Sequence, residues 1–311
     1  MLGTIGMTVA SICYLRVDTI GPALFAVRVL QGASFAAAFT ATTAFAAAFA
    51  PPDRRAQALG IFGLSVLLTH AIAPAAGEEI IRRLGFQALF AVTMGWTLVA
   101  LLLAIRLPPG VTVRSGGPQA AAWHFERLQW VVAVTMVLSG MGFGTVMTFT
   151  PTFIHGEGLG RVGVFFAAYT TTAILTRFMG AGLSDSFGRR AIIVPTLLIL
   201  AGSIATMAFV RSIAVLVCAG ALFGSAQGIS YPTLHAFLVD MTAEAHLGRA
   251  QALFNGSFNL GVTSSAFIFG VAAEQLGYRP MFALASLPPL TACVLFYRYG
   301  APAGTRRRSR D

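Results

Sequence analysis

The feature that most constrains this chain is a series of long apolar segments, separated by short polar connections. A helix needs about 20 consecutive apolar residues to cross the hydrocarbon layer of a bilayer. Ten segments, lettered a to j, approach or exceed that length: 1–15, 20–49, 56–77, 85–105, 128–153, 162–183, 190–210, 212–238, 248–272 and 277–299. Because the runs are continuous and do not alternate as barrel strands do, the sequence predicts an all-α membrane protein.

Composition supports this class. Only 10% of the 311 residues are charged and 56% are hydrophobic, whereas a soluble domain carries about 25% charged residues. A very apolar soluble helical protein is the remaining alternative. The net charge of +10 comes from arginine alone, and these residues lie in short loops, as topology signals do. We therefore expect a lipid bilayer as a partner and no nucleic acid.

The only long connection divides the chain into two helical bundles. Its proline, glycine and charged residues are typical of a linker. The predicted domains are an incomplete N-terminal bundle of four spans over 1–106, a cytoplasmic linker over 107–127, a six-helix bundle over 128–299 and a basic tail over 300–311.

The distribution of arginine predicts the orientation. Thirteen arginines fall on one side of the predicted spans and six on the other, while Arg28 and Arg177 lie within spans. The six are Arg16, Arg82, Arg83, Arg161, Arg211 and Arg279. Since cytoplasmic loops carry the excess of basic residues, we expect a multi-pass protein of the inner (cytoplasmic) membrane with both termini in the cytoplasm.

Three short sequences recur at nearly the same offset, which indicates an internal repeat. They are RAQAL at 55–59 and 249–253, Gln-Gly at 31–32 and 227–228, and LGFQALFA at 84–91 against LGYRPMFA at 276–283. Spans b, c and d therefore correspond to h, i and j. Spans e and f have no partner, so we expect a repeated six-helix unit whose first two helices are missing here. A protein that always had ten spans is the alternative.

The segment GAGLSDSFGRR at 180–190 resembles the signature of the major facilitator superfamily, in the cytoplasmic loop between the second and third helices of each half. Ala181 and Ser186 depart from that signature. The matching positions are Asp185, Gly188, Arg189 and Arg190. The resemblance implies a cytoplasmic latch, in which Gly188 allows a tight turn and Asp185 accepts hydrogen bonds from one of the two arginines. A solvated cluster of loop charges is the alternative.

Two further motifs resemble the same family. RVLQG at 28–32 is similar to its fourth-helix motif, in which an arginine is associated with proton coupling. Arg28 is then a functional candidate because an arginine in a span is costly; pairing with Asp18 or a purely structural role are alternatives. Pro74 and Gly77 match a fifth-helix motif of the antiporter branch only weakly.

The resemblance implies alternating access around a central cavity lined by spans b, c, e, f, h and i. Polar residues within these spans are the candidate cavity residues: Gln31, His70, Thr145, Thr148, Tyr169, Gln227, Tyr231, His235, Asn255 and Asn259. Each histidine could carry a proton near neutral pH or simply pack.

The implied function is secondary active transport of a small organic solute by a monomer, as proton-linked efflux (antiport). A truncated, non-transporting membrane protein and a sugar or metabolite uptake symporter are the alternatives. No nucleotide-binding, hydrolase or metal-binding motif occurs in the sequence. The three cysteines also lack metal-ligand spacing. We therefore expect no enzyme, cofactor or metal.

Overall fold

The computed structural model describes residues 1–17, 19, 21–49, 55–106, 126–180, 186–243 and 246–300. Within these residues every regular element is a helix, and no strand occurs. The prediction of an all-α protein is therefore confirmed. The chain divides into two compact units, Met1–Ser115 and Gly116–Asp311, which we call unit 1 and unit 2.

Unit 1 contains three helices and unit 2 contains seven among the described residues. In unit 1 they are α1 (Leu2–Tyr14), α2 (Pro22–Phe49) and α3 (Arg55–Ile105). In unit 2 they are α4 (Arg127–Gly156), α5 (Val162–Gly180), α6 (Arg189–Met207), α7 (Ile213–Asp240), α8 (Leu247–Leu276), α9 (Tyr278–Ala285) and α10 (Leu287–Tyr299).

The helices follow the apolar segments. Predicted spans c and d lie in α3, which consists of two helices joined at the non-helical Gly85. Predicted span j comprises α9 and α10, which meet at Ser286 and together form one apolar stretch long enough to cross a membrane, Tyr278–Tyr299. Seven helical stretches among the described residues are long and apolar enough to cross a membrane, while α1 and the apolar part of α5 are shorter. The count of ten spans therefore stays a prediction.

Two glycines at equivalent positions of the repeated sequence have the same backbone conformation. Gly85 has φ 81° and ψ 176°, and Gly277 has φ 86° and ψ 170°. This region of backbone space is essentially restricted to glycine. Each glycine follows a leucine at the start of LGFQALFA or LGYRPMFA, so the two copies share a backbone turn as well as a sequence.

Glycines also set the distance between helices of unit 2. A Cβ atom at Gly224 of α7 would lie 2.1 Å from the carbonyl oxygen of Tyr169 of α5, and one at Gly261 of α8 would lie 2.0 Å from that of Val137 of α4. Lipid gives helices no hydrophobic reason to associate, so small residues that permit such close contact stabilise the bundle.

The surface of the helices is apolar as well as the core. Met136, Leu197 and Phe254 are almost completely buried within unit 2. At the same time Phe178 of α5 and Phe267 of α8 are 66% and 73% exposed. Large exposed aromatic residues on apolar helices suit a surface that faces lipid.

Unit 2 has two chemically different ends. The guanidinium of Arg127 lies 5.2 Å from the centroid of the Tyr299 ring, where α4 begins and α10 ends. Arg279 bonds to Glu157, just beyond the other end of α4. Since α4 has 30 residues, it is about 45 Å long. We call the end with Arg127 and Tyr299 the basic end; it also holds Arg189 and Arg190. We call the opposite end of unit 2 the Arg279 end.

Candidate functional site

Arg28 belongs to a small polar cluster between α1 and α2. The Tyr14 hydroxyl donates to Gln31 Oε1 at 2.8 Å, and Arg28 Nη1 donates to the same oxygen at 3.4 Å. The Arg28 guanidinium also lies 5.4 Å from the centroid of the Tyr14 ring. Arg28 and Gln31 are one helical turn apart and so share a face. Two sequence-predicted residues are thus brought together around Tyr14.

Tyr14 was missed by the sequence analysis, which considered Asp18 as the partner of Arg28. Asp18 lies outside the described residues. Tyr14 is buried, and its ring stacks on that of Phe90 of α3 with centroids 5.1 Å apart. Tyr14 is the last residue of α1 and faces the only arginine of α2, and no motif in the sequence marked it.

His70 is placed on α3, away from any described contact with Arg28. Its Nδ1 lies 2.8 Å from the carbonyl oxygen of Val66, one turn earlier. Because a carbonyl oxygen only accepts, that contact requires the proton to be on Nδ1.

Two polar pairs connect α7 and α8 in unit 2. The Tyr231 hydroxyl donates to Asn255 Oδ1 at 3.1 Å, and His235 Nε2 contacts Gln251 Oε1. Gln251 was not predicted. The Tyr231 ring packs edge-on against Phe254 and Phe258, with centroids 5.2 and 5.3 Å away.

The remaining predicted residues of unit 2 fall into two groups. Tyr169 and Gln227 are buried. Thr145 is buried too, but its hydroxyl donates to the Met141 carbonyl of its own helix at 2.8 Å. Thr148 and Asn259 are exposed, and Asn259 Nδ2 donates to the Asn255 carbonyl at 2.9 Å.

Arg177 of α5 is a further polar residue of this region, and it was not among the predicted site residues. Its Nε is buried, as is Nε2 of Gln227, and neither has a hydrogen-bond partner within the described part of the chain. Arg177 lies near Tyr169 and Tyr231. The signal was available as an arginine inside a predicted span, but no motif accompanied it.

The signature segment leads into α6 at the basic end. Gly188 has φ 85°, a conformation that favours glycine. Arg189 Nε lies 3.0 Å from Asp240 Oδ2 at the end of α7. The Arg190 guanidinium donates to the Tyr297 carbonyl and lies 5.4 Å from the centroid of that ring. Asp185 lies outside the described residues.

These contacts border an open cleft of about 910 Å³. Its lining combines charged and apolar groups, including Phe187, Arg190, Val194, Phe237 and Asp240. Asp240 and Tyr297 were not predicted, because each comes from a helix far along the chain from the signature. The two arginines thus tie α6 to α7 and to α10.

Comparison with known proteins decides the family. The family model of the Major Facilitator Superfamily matches residues 1–168 and residues 132–310. The chain belongs to the major facilitator superfamily. The resemblance inferred from the motifs is therefore confirmed, and this major facilitator chain is an integral membrane protein of a transporter family, not an enzyme.

Curated relatives include transporters with named cargo. The chain is 25% identical over 181 residues to the class B tetracycline resistance protein of Escherichia coli, a match covering 57% of this chain and 45% of that protein. It is 21% identical over 170 residues to the staphylopine export protein of Staphylococcus aureus, covering 53% and 42%. The matches thus span about half the length of these relatives.

A solved structure shows the same fold. The crystal structure of the nucleoside transporter NupG superposes with a TM-score of 0.77, covering 96% of this chain and 83% of that one. The sequence identity is 13%, so this likeness concerns the fold alone.

Proposed function

We propose that this major facilitator chain exports a small organic solute by alternating access and couples export to proton entry. Two relatives are named for tetracycline resistance and for staphylopine export, which favours the outward direction. The observation that carries the proposal is the cluster of Arg28, Gln31 and Tyr14 in unit 1.

The cluster gives Arg28 a defined place despite the apolar helix around it. The carbonyl oxygen of the Gln31 side chain and the face of the Tyr14 ring both attract a cation. Arginine itself never loses its proton. A permanent positive charge can, however, favour loss of a proton from a titratable group that comes near it in one transport state. We assign that coupling role to Arg28.

The contacts at the basic end suit a gate. Arg189 and Asp240 form a partly exposed ion pair, with side chains 25% and 56% exposed. Such pairs contribute about 0–1 kcal/mol, so one can break and re-form during a transport cycle. We propose that Arg189 and Arg190, together with Gly188 and Asp185, bias the chain towards one of its two access states.

The coupling role predicts that Arg28→Gln abolishes gradient-driven transport without affecting membrane insertion. The full chain would be reconstituted in vesicles loaded with a pH-sensitive dye, and tetracycline would serve as the first solute under an imposed pH gradient. We expect the wild type to exchange solute for protons and the variant to lose the gradient-dependent flux. Arg211→Gln, which alters an exposed loop arginine, should behave as the wild type.

The same assay separates the alternatives. Solute and protons moving in the same direction would support an uptake symporter. Absence of flux from wild-type protein with tetracycline, and with a panel of organic acids, bases and sugars, would favour a non-transporting membrane protein. Unchanged gradient-driven flux in Arg28→Gln would rule out the role given to Arg28.

A further inference from the structure

Five buried polar side-chain atoms of unit 2 have no hydrogen-bond partner among the described residues: Ser139 Oγ, Thr150 Oγ1, Thr170 Oγ1, Arg177 Nε and Gln227 Nε2. The last two are the nitrogen donors of this set, with Arg177 on α5 and Gln227 on α7. The Gln227 residue is only 8% exposed. Leaving a buried donor unpaired carries its full desolvation cost, and for a cation in a membrane span the cost is larger. These donors therefore call for an acceptor.

The two donors flank the contact between α5 and α7. A Cβ atom at Gly228 would lie 2.4 Å from Thr176 Oγ1 and 2.5 Å from the Ala173 carbonyl oxygen. Gln227 precedes Gly228 in the sequence, and Arg177 follows Thr176. Tyr231 lies one turn after Gln227, and it lies near Arg177. The donors thus belong to one region of the bundle.

The sequence of the surrounding helices offers no carboxylate. α5 contains no acidic residue, α7 contains none before its last residue Asp240, and α8 contains none before Glu274. Asp240 is paired with Arg189. Partial burial of an arginine without an opposite charge is destabilising, and a bound anion can supply that charge.

We propose that Arg177 and Gln227 form a subsite for the anionic group, a carboxylate or a phosphate, of the transported solute. Arginine presents several N–H donors in a planar fork that matches the oxygens of such groups, and the Gln227 amide adds another. This inference rests on the proposed transport function and narrows its substrate to an organic anion.

The neighbouring side chains indicate an apolar body beside the anionic group. Tyr231 packs against Phe254 and Phe258, and Tyr169 packs against Phe223 with centroids 5.4 Å apart. Arg177 as a whole is only partly buried, so its side chain is not sealed inside the bundle. An aromatic acid combines both features and is the simplest test compound.

Binding to the full chain in lipid nanodiscs tests the subsite without any gradient. The compounds are benzoate, phenyl phosphate, neutral benzamide and inorganic phosphate. We expect benzoate or phenyl phosphate to bind at least about tenfold more tightly than benzamide, which corresponds to one charge-assisted hydrogen bond. Arg177→Gln and Gln227→Leu should lose that preference, while Arg211→Gln should keep it. Equal affinity for the charged and neutral compounds, or full retention in Arg177→Gln, would overturn the proposal.

Binding of inorganic phosphate tests whether the site recognises a free ion or the anionic group of an organic solute. Inorganic phosphate that binds as tightly as the aromatic anions, and depends on Arg177, would mean that the site holds a free ion and would overturn the solute assignment. Weak binding of phosphate alone supports a site that recognises an organic anion.

Thermal stability of the same samples guards against misfolding. Arg177→Met removes the unpaired charge, so we expect its Tm without ligand to equal or exceed that of the wild type, and benzoate to raise only the wild-type Tm. A large fall in the Tm of unliganded Arg177→Met would show that Arg177 is structurally paired and would contradict the proposal.

The binding and flux assays together distinguish failure of the anion subsite from failure of the proposed transport function. Anion binding that depends on Arg177, combined with no flux in vesicles, would contradict transport while leaving the subsite intact. Flux that is the same for neutral and anionic solutes and unaffected by Arg177→Gln would contradict the subsite while leaving transport intact.

Discussion

Glu157 and Arg279 form the main polar contact at the Arg279 end of unit 2. Arg279 Nη2 donates to Glu157 Oε2 at 2.6 Å, and Nη1 donates to the Ala208 carbonyl at 3.3 Å. The contact therefore joins the ends of α4 and α6 to the start of α9. The hydrogen bond from Arg279 lowers the pKa of the Glu157 carboxyl below its ordinary value of 4.5.

The lowered pKa predicts a pH-dependent effect of Glu157→Gln. A depressed folded-state pKa means that the pair stabilises the protein above the ordinary pKa and loses this contribution as the pH falls through the lowered value. The variant should have a slightly lower Tm than the wild type at pH 7, and the difference should disappear in acid. Thermal unfolding of both proteins in detergent, at pH 7 and at a pH below the lowered pKa of Glu157, measures this difference in Tm.

Glu274→Gln is the matched control, since Glu274 is an exposed glutamate at the end of α8. Its Tm should track the wild type across the same pH range. A Glu157→Gln difference that persisted in acid would mean that the carboxylate charge is not what stabilises this end.

Individual site residues could be predicted only where the chain supplied a local signal. Arg28 and Gln31 stand in one short motif. Their partner Tyr14 lies on another helix. In the same way Asp240, the partner of Arg189, lies on a different helix from Arg189. Such pairs depend on how helices pack, and neither hydropathy nor spacing along one helix contains that information.

At the scale of elements, the turn at Gly277 makes a specific demand on its residue. Its φ of 86° and ψ of 170° are strained for any residue with a side chain. A Cβ atom added at Gly277 would meet no atom of the described residues within 4 Å. Gly277→Ala should therefore destabilise unit 2 by about 1–3 kcal/mol through backbone strain alone. Unfolding by sodium dodecyl sulfate in mixed micelles measures the loss.

Gly256→Ala provides the control, because Gly256 lies in α8, the helix that ends at the turn with Gly277. Gly256 lies inside α8, and a Cβ there likewise has open space around it within the described part of the chain. Alanine should be neutral or more stable by up to about 1 kcal/mol, because it is the better helix former. If the two variants were equally stable, the turn at Gly277 would not be held in this conformation.

The positions of the helices could be predicted because a bilayer sets a minimum apolar length. The way in which neighbouring helices join could not be predicted. The sequence suggested a connection over 78–84, whereas the structure carries helix up to a non-helical turn at Gly85 and again beyond it. Within the single apolar span Tyr278–Tyr299, α9 ends and α10 begins at Ser286. Hydropathy averages over about 19 residues, which is too coarse to separate a turn from a connection.

On the scale of the whole molecule, orientation is the property that the sequence predicts most directly and that the fold of unit 2 makes testable. α7 begins after Arg211 and ends at Asp240, the partner of Arg189. With 28 residues it is about 42 Å long. Ser212 and Ala243 therefore mark the two ends of one span, and both are exposed.

Cysteine labelling of intact cells then gives the orientation. In a background with Cys13, Cys218 and Cys293 replaced by serine or alanine, Ser212→Cys should react with a membrane-impermeant maleimide added outside. Ala243→Cys should react only after permeabilisation, because thirteen arginines lie on its side of the predicted spans against six on the other and cytoplasmic loops retain the basic residues. The background protein without either cysteine gives the blank. Labelling of Ala243→Cys from outside would mean that the arginine-rich loops are translocated, and the latch at Arg189 and Arg190 would then have to act on the external gate.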